Sequence, residues 1–277
     1  MLIFEIIKVI ALGIVEGVTE WLPISSTGHL ILLDELIRLR VSEDFMSVFT
    51  VVIQLGAILA VAVMFFERLN PFSSRKGREE KAATLNLWGK VLVGSAPAAV
   101  LGLLLDDLID RYLFSYIVVA ITLIVYGIAF IFVEKIKADK IKDKKSLDSI
   151  SYADAIKIGM LQSLSLIPGT SRSGSTILGG MLIGVSRQAA AEFSFFMAIP
   201  IMLGASALKI FKFAFSGFTA TTEEILLLLV GIAVSFFVSL LVIRFLMDYV
   251  RSHGFEIFGY YRIILGIAVL VYFFLKQ

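Results

Sequence analysis

Two apolar stretches of this chain carry, at their centres, the residue types that hydrocarbon tolerates least. One covers about 3–37 and is broken by Glu16, Glu20, Pro23 and Ser25-Ser26-Thr27-Gly28-His29. The other covers about 152–185 and is broken by Pro168-Gly169-Thr170-Ser171-Arg172-Ser173-Gly174-Ser175-Thr176. Each is long enough to enter a bilayer and too polar in the middle to cross it as one helix. Irregular backbone at membrane depth persists only where protein buries it or where it lines a wet cavity. Both stretches are therefore read as re-entrant helix–loop–helix pairs. A cation such as Arg172 at that depth costs about 2.5–3.5 kcal/mol on insertion scales, so it marks a cavity with a task.

Around these two regions the sequence predicts full spans at about 45–66, 86–105, 113–133, 190–213, 223–247 and 256–275. Each approaches the roughly 20 apolar residues that cross a bilayer. With 58% hydrophobic residues and a mean hydropathy of +0.93, the class is an all-α polytopic membrane protein. The apolar runs are continuous rather than alternating, which argues against a membrane β-barrel. A formal net charge of +2 gives no sign of a nucleic-acid partner. The chain has no cysteine, which excludes disulfides, thiolate nucleophiles and Cys metal sites. Glu5 and Lys8 interrupt the first apolar run and no small-residue cleavage site follows, so the N-terminus reads as retained.

The two broken regions look like copies. Gly13-Ile14-Val15-Glu16-Gly17-Val18-Thr19 aligns with Gly159-Met160-Leu161-Gln162-Ser163-Leu164-Ser165, and Pro23 then falls near Pro168. Ser25, Thr27 and Gly28 fall on Ser171, Ser173 and Gly174. Leu55-Gly56-Ala57 echoes Leu203-Gly204-Ala205, and Gly127-Ile128-Ala129 echoes Gly266-Ile267-Ala268. Matches in one order predict a single membrane domain, 1–277, built from halves of about 1–135 and 150–277 joined by a basic cytoplasmic loop at about 134–151. One re-entrant pair plus three spans per half is an odd number of crossings, so the second half enters upside down. Inverted repeats of this kind place functional sites between the halves near the midplane.

Loop charge agrees with this topology. The 67–90 loop carries Arg68, Arg75, Lys76, Arg78, Lys81 and Lys90, and the 134–157 loop carries Lys135, Lys137, Lys140, Lys142, Lys144, Lys145 and Lys157. Two spans separate them, so they share a side, and the positive bias makes that side cytoplasmic. Asp106, Asp107 and Asp110 fall on the opposite side, and both termini fall outside. Gly56, Gly94, Gly102, Gly127, Gly204, Gly231 and Gly266 permit close helix packing, within one chain or between the copies of a homodimer.

Candidate chemistry concentrates in the two polar centres. Arg172 offers a planar fork suited to phosphate oxygens, and the flanking glycines let backbone N–H groups approach an anion. Arg172 as a structural ion pair to Glu16 or Glu20 is the competing reading. Thr176 is expected to start the following helix, where free N–H groups favour an anion. Glu16 and Glu20 share a helix face; stacked carboxylates repel unless one is protonated or a divalent cation such as Mg²⁺ or Ca²⁺ sits between them. An exposed surface pair or interhelical glue is the plainer alternative. Ser25, Ser26 and Thr27 read as helix caps, as anion donors, or as a source of the nucleophile. His29 reads as a structural residue or as a general acid–base or nucleophilic group beside those carboxylates. His253, Gln54, Arg187 and Glu192 read as structural.

On these residues the chain resembles the bacterial undecaprenyl-diphosphate phosphatase family of the bacitracin-resistance type. The resemblance rests on Glu16-Gly17-Val18-Thr19-Glu20-Trp21-Leu22-Pro23-Ile24-Ser25-Ser26-Thr27-Gly28-His29 and on Pro168–Thr176, and extends over the whole chain; Trp21 stands where a Phe is familiar. It implies a phosphohydrolase of the bacterial cytoplasmic membrane that removes the terminal phosphate of a C55 polyprenyl diphosphate. The product would be the monophosphate carrier lipid of cell-wall synthesis. It implies bacitracin resistance, a divalent cation, and a site open to the outer face. Its functional residues carry over to Glu16, Glu20, Ser26, His29, Ser171, Arg172 and Thr176. A secondary transporter or lipid flippase is the rival reading, since inverted repeats with broken helices are typical of transporters.

Overall fold

Lipid offers a backbone no hydrogen-bond partner, and this chain satisfies its own groups with helices. The computed structural model describes residues 2–26, 28–30, 33, 37–113, 115–137, 145–215 and 220–276. Within them, α1 is Leu2–Thr19, α2 Glu43–Val52, α3 Gln54–Met64 and α4 the single turn Phe66–Leu69. Then follow α5 Arg78–Tyr112, α6 Tyr116–Lys137, α7 Tyr152–Gln162 and a 3₁₀ turn Ser163–Leu166. The chain continues with α8 Arg172–Leu182, α9 Arg187–Phe215, α10 Thr222–Ser252 and α11 Glu256–Lys276. Among the described residues, no strand forms and six helical segments are long and apolar enough to cross a membrane; α2 and α3 act together as one. The protein is an all-α multi-pass membrane protein, as expected.

Element ends follow local chemistry. The α5 helix starts earlier than the apolar run suggests. Its first turn carries Glu79 and Glu80, and the Glu80 carboxylate accepts from Gly77 N at 2.8 Å, which caps the polar extension. Pro97 and Pro200 lie inside α5 and α9, where each removes a backbone donor.

Packing places α9 at the centre, against α2, α3, α5 and α8, with Phe193, Phe195 and Phe196 fully buried. The arm α1 lies along α10, and the arm α7 lies along α5. The α6–α11 pair closes on glycines: a Cβ at Gly127 would lie 2.7 Å from Gly259 O, and one at Gly266 would lie 2.8 Å from Ala120 O. Most of the glycines singled out in the sequence meet neighbours inside the chain, but Gly204 meets nothing within 4 Å. The linker residues 138–144, Thr27, and the side chains of Asp106, Asp107 and Asp110 lie outside the described set.

Candidate active site

The two polar centres fold into similar turns. Helix α1 ends at Thr19, residues 20–24 turn, and helix resumes at Ser26. In the second region the 3₁₀ turn leads through Pro168-Gly169-Thr170 to Ser171, and α8 begins at Arg172. Ser25 and Ser171 are the non-glycine residues of positive φ among those described, at 73° and 72°. L-residues avoid this region, and such strain persists where surrounding structure over-determines it. Each hydroxyl then accepts from the amide three residues on: Gly28 N at 3.4 Å and Gly174 N at 3.1 Å. Gly169 has φ +86°, and a Cβ there would collide with the Thr122 hydroxyl of α6, which itself donates to Pro168 O at 2.8 Å.

These turns meet. Arg172 donates from Nε and Nη2 to Glu20 Oε1 at 3.2 and 3.0 Å, and from Nη1 to Ser194 O on α9 at 2.8 Å. Its guanidinium stands 5.6 Å from the ring centroid of Trp21, which is itself buried edge-on against Phe195 at 5.2 Å. Both partners of this ion pair are nearly sealed, with side chains 10% and 8% exposed. The ion pair that competes with phosphate binding thus forms, to Glu20, and the fork still keeps donors beyond those three bonds. Ser26 Oγ donates to the other Glu20 oxygen at 3.4 Å. Ser173 Oγ donates to Leu22 O at 3.3 Å and contacts Ser171 Oγ at 3.2 Å. Glu16 is wholly buried one helical turn before Glu20, with neither oxygen hydrogen-bonded; its charged neighbours are Glu20 and Arg172.

His29 stands apart from this pair. Its Nδ1 lies 2.7 Å from Ser25 O and its Nε2 2.7 Å from Tyr261 OH, with the two rings stacked at 5.5 Å. A carbonyl only accepts, so Nδ1 carries the proton and Nε2 of the neutral ring accepts from the tyrosine. Thr176 corrects an expectation. The helix starts four residues earlier, at Arg172, because Ser171 takes the cap. Thr176 Oγ1 is engaged with Arg172 O, Ser173 O and, at 2.6 Å, Ser194 Oγ, all within the protein. Thr27 falls outside the described residues.

Three contributors lie outside the two polar motifs. Ser194 and Tyr261 carry no local signal, being ordinary residues of long apolar helices. Arg262 carried one: a cation inside the run read as the last span. It is fully buried, donating from Nη1 to Pro23 O at 3.1 Å and from Nη2 to Gly169 O at 2.9 Å and Thr170 O at 3.0 Å.

Comparison with known proteins identifies the family. A family model described as "Bacitracin resistance protein BacA" matches residues 9–268. The chain is 54% identical to a protein named undecaprenyl-diphosphatase from Enterococcus faecalis, covering 98% of this chain and 99% of that one. It is 56% identical to undecaprenyl-diphosphatase 1 of Clostridioides difficile, over 99% and 98% of the two chains. It is 55% identical to undecaprenyl-diphosphatase of Streptococcus mutans, over 100% and 99%. The chain belongs to the BacA family of bacitracin resistance proteins.

Proposed function

We propose that this protein is an undecaprenyl-diphosphatase: a membrane phosphohydrolase that converts the C55 polyprenyl diphosphate to the monophosphate carrier lipid and phosphate. The observation that carries this reading is the joint Arg172–Glu20–Ser26 contact, which unites a guanidinium, a carboxylate and a hydroxyl from two distant loops. The names of the full-length relatives support it. Supply of the carrier lipid for cell-wall synthesis, and bacitracin resistance, follow from the family.

We propose Ser26, whose hydroxyl donates to Glu20, as the group that attacks the terminal phosphorus. Glu20 takes its proton, the bridging P–O bond breaks, and the polyprenyl monophosphate leaves. Water then releases phosphate from the serine. The remaining donors of Arg172, with the hydroxyls of Ser171, Ser173 and Ser25 and the start of α8, hold the charged head. Thr27 is proposed to join them. Thr176 acts by bracing the turn that carries Arg172. His29, held between Ser25 O and Tyr261, takes a proton through the Tyr261 hydroxyl, which in turn takes one from the attacking water.

Glu16 and Glu20 fit a hard divalent cation, Mg²⁺ or Ca²⁺. Both oxygens of Glu16 lack a protein partner, and Mg²⁺ sites commonly use one or two carboxylates completed by substrate phosphates and water. Such a cation, when bound, neutralises charge developing on the phosphates.

We further propose the inverted repeat, an outward-opening site and residence in the bacterial cytoplasmic membrane. The paired packing of α1 on α10 and α7 on α5 supports the repeat, as do the matching Ser25 and Ser171 turns. In a homodimer, the face around Gly204 would be the open one. The test is phosphate release from a short-chain polyprenyl diphosphate by protein in detergent, where no gradient exists. Arg172→Ala should lower turnover at least a hundredfold; near-normal release by that variant, or none from the unaltered protein, would overturn the assignment.

A further inference from the structure

The two loop tips are the segments where the backbone leaves regular helix, so their carbonyls need partners that a helix does not give. Three of them, Pro23 O, Gly169 O and Thr170 O, find the same side chain. Arg262 reaches them from α11, with no surface exposed, its guanidinium 5.5 Å from the ring centroid of Tyr126 on α6. One nitrogen serves the first loop and the other serves the second. A Cβ on Gly174 would lie 3.3 Å from Nη1, so the first turn of α8 sits directly on the guanidinium. Among the described residues, no carboxylate forms an ion pair with Arg262.

That arrangement does not describe a packing residue. A buried cation without a counter-ion is costly, and an apolar side chain would fill the same volume more cheaply. What the guanidinium supplies is a rigid, planar set of donors able to hold two chain segments at once, which an ammonium cannot reproduce. The segments it joins carry the reacting groups: Glu20 and Ser26 flank Pro23, and Arg172 follows Thr170.

We propose that Arg262 is a positioning residue of the phosphatase reaction. It ties the tip of one loop to the tip of the other and thereby sets Ser26 and Glu20 in register with Arg172. This rests on the phosphohydrolase reading above. It gives α11, which already brings Tyr261 to His29, a second and direct tie to both loops. Displacement of reacting groups by about 1 Å can lower turnover about a hundredfold.

The experiment uses the full-length protein in detergent, unaltered and as Arg262→Lys and Arg262→Gln. Three quantities are read: kcat and KM for a short-chain polyprenyl diphosphate, thermal unfolding, and amide hydrogen exchange by mass spectrometry. Arg262→Lys should fold, lose about a hundredfold in kcat with KM changed less than about threefold, and exchange faster in peptides covering 20–26 and 166–174 together. Ser26→Ala should lose activity with exchange in both loops unchanged. The proposal is overturned if Arg262→Lys keeps the kcat of the unaltered protein, or if exchange rises in one loop or in neither. It is also overturned if Arg262→Lys does not fold, since the residue is then a determinant of the fold. Inactivity of the unaltered protein would sink the phosphatase reading instead, while the exchange data would still report whether Arg262 joins the loops.

Discussion

At the scale of single residues, the site assigns protons by geometry. Ser25 O fixes the hydrogen of His29 on Nδ1, and the Tyr261 hydroxyl then points its own hydrogen at Nε2. Tyr261→Phe keeps the stacked ring and removes that donor. Turnover should fall about five- to tenfold, the worth of one hydrogen bond, with the unfolding temperature unchanged; steady-state kinetics beside a thermal melt would show it. Ser26→Ala should abolish phosphate release while short-chain substrate still binds, which equilibrium binding measures directly. If Ser26→Ala retains turnover, the hydroxyl beside Glu20 is not the attacking group. Glu16, Glu20 and Arg172 were legible in the sequence because each is a charge inside an apolar run. Tyr261 was not, because tyrosines are common in membrane helices and nothing local marks one that faces a histidine distant in sequence.

At the scale of elements, helices α6 and α11 approach closely enough at two glycines for backbone to meet backbone, beside the packed side chains of Val119, Leu123 and Val269. Gly127 and Gly266 each lie against a carbonyl about two turns ahead of the other glycine's position on its helix. A larger residue at either place must separate the pair, and α11 carries Tyr261 and Arg262. Gly127→Val and Gly266→Val should each lower stability by about 1–3 kcal/mol and reduce activity with it. Gly204→Val, built into open space, should change neither in the monomer. Thermal unfolding of the three variants side by side decides the point.

The arm α7 offers a pH-dependent case outside the spans. Burial works against the charge of Asp154. It is outweighed by Lys145 Nζ at 2.8 Å and by Ser151 N and Oγ at 3.0 and 2.8 Å, which hold the carboxyl below its ordinary value of 3.8. A carboxyl depressed by folding stabilises above its ordinary value, and that contribution is lost as pH falls through the folded value. The melting temperature should therefore drop on acidification below about pH 4. Asp154→Asn should melt lower at neutral pH and lose that part of the acid dependence.

At the scale of the whole molecule, the proposed topology makes a prediction that needs no activity. The chain has no cysteine, so single introduced thiols report their side cleanly. Cysteines replacing Arg75 and His253 should react with an impermeant reagent only after the cytoplasmic face is exposed. One replacing Thr222 should react in intact cells. Labelling of all three from one side would end the inverted arrangement. The six spans lay open in the sequence because crossing a bilayer is a demand on length and hydropathy along the chain. Helix α8 starts at Arg172 rather than at Thr176. Several hydroxyls in one loop compete to cap it, and the choice of Ser171 depends on a backbone turn held by α6.

By itself the sequence determined the membrane class, the six helices long and apolar enough to cross, the two regions broken by polar residues, and the presence of acids in one and a guanidinium in the other. Each of these follows from what lipid permits over a short length of chain. The tertiary structure alone decided that Glu20 rather than Glu16 receives Arg172, that His29 turns to Tyr261, and that Arg262 reaches both loops. Those contacts join residues far apart along the chain, and their geometry depends on how the helices pack, which no local pattern encodes.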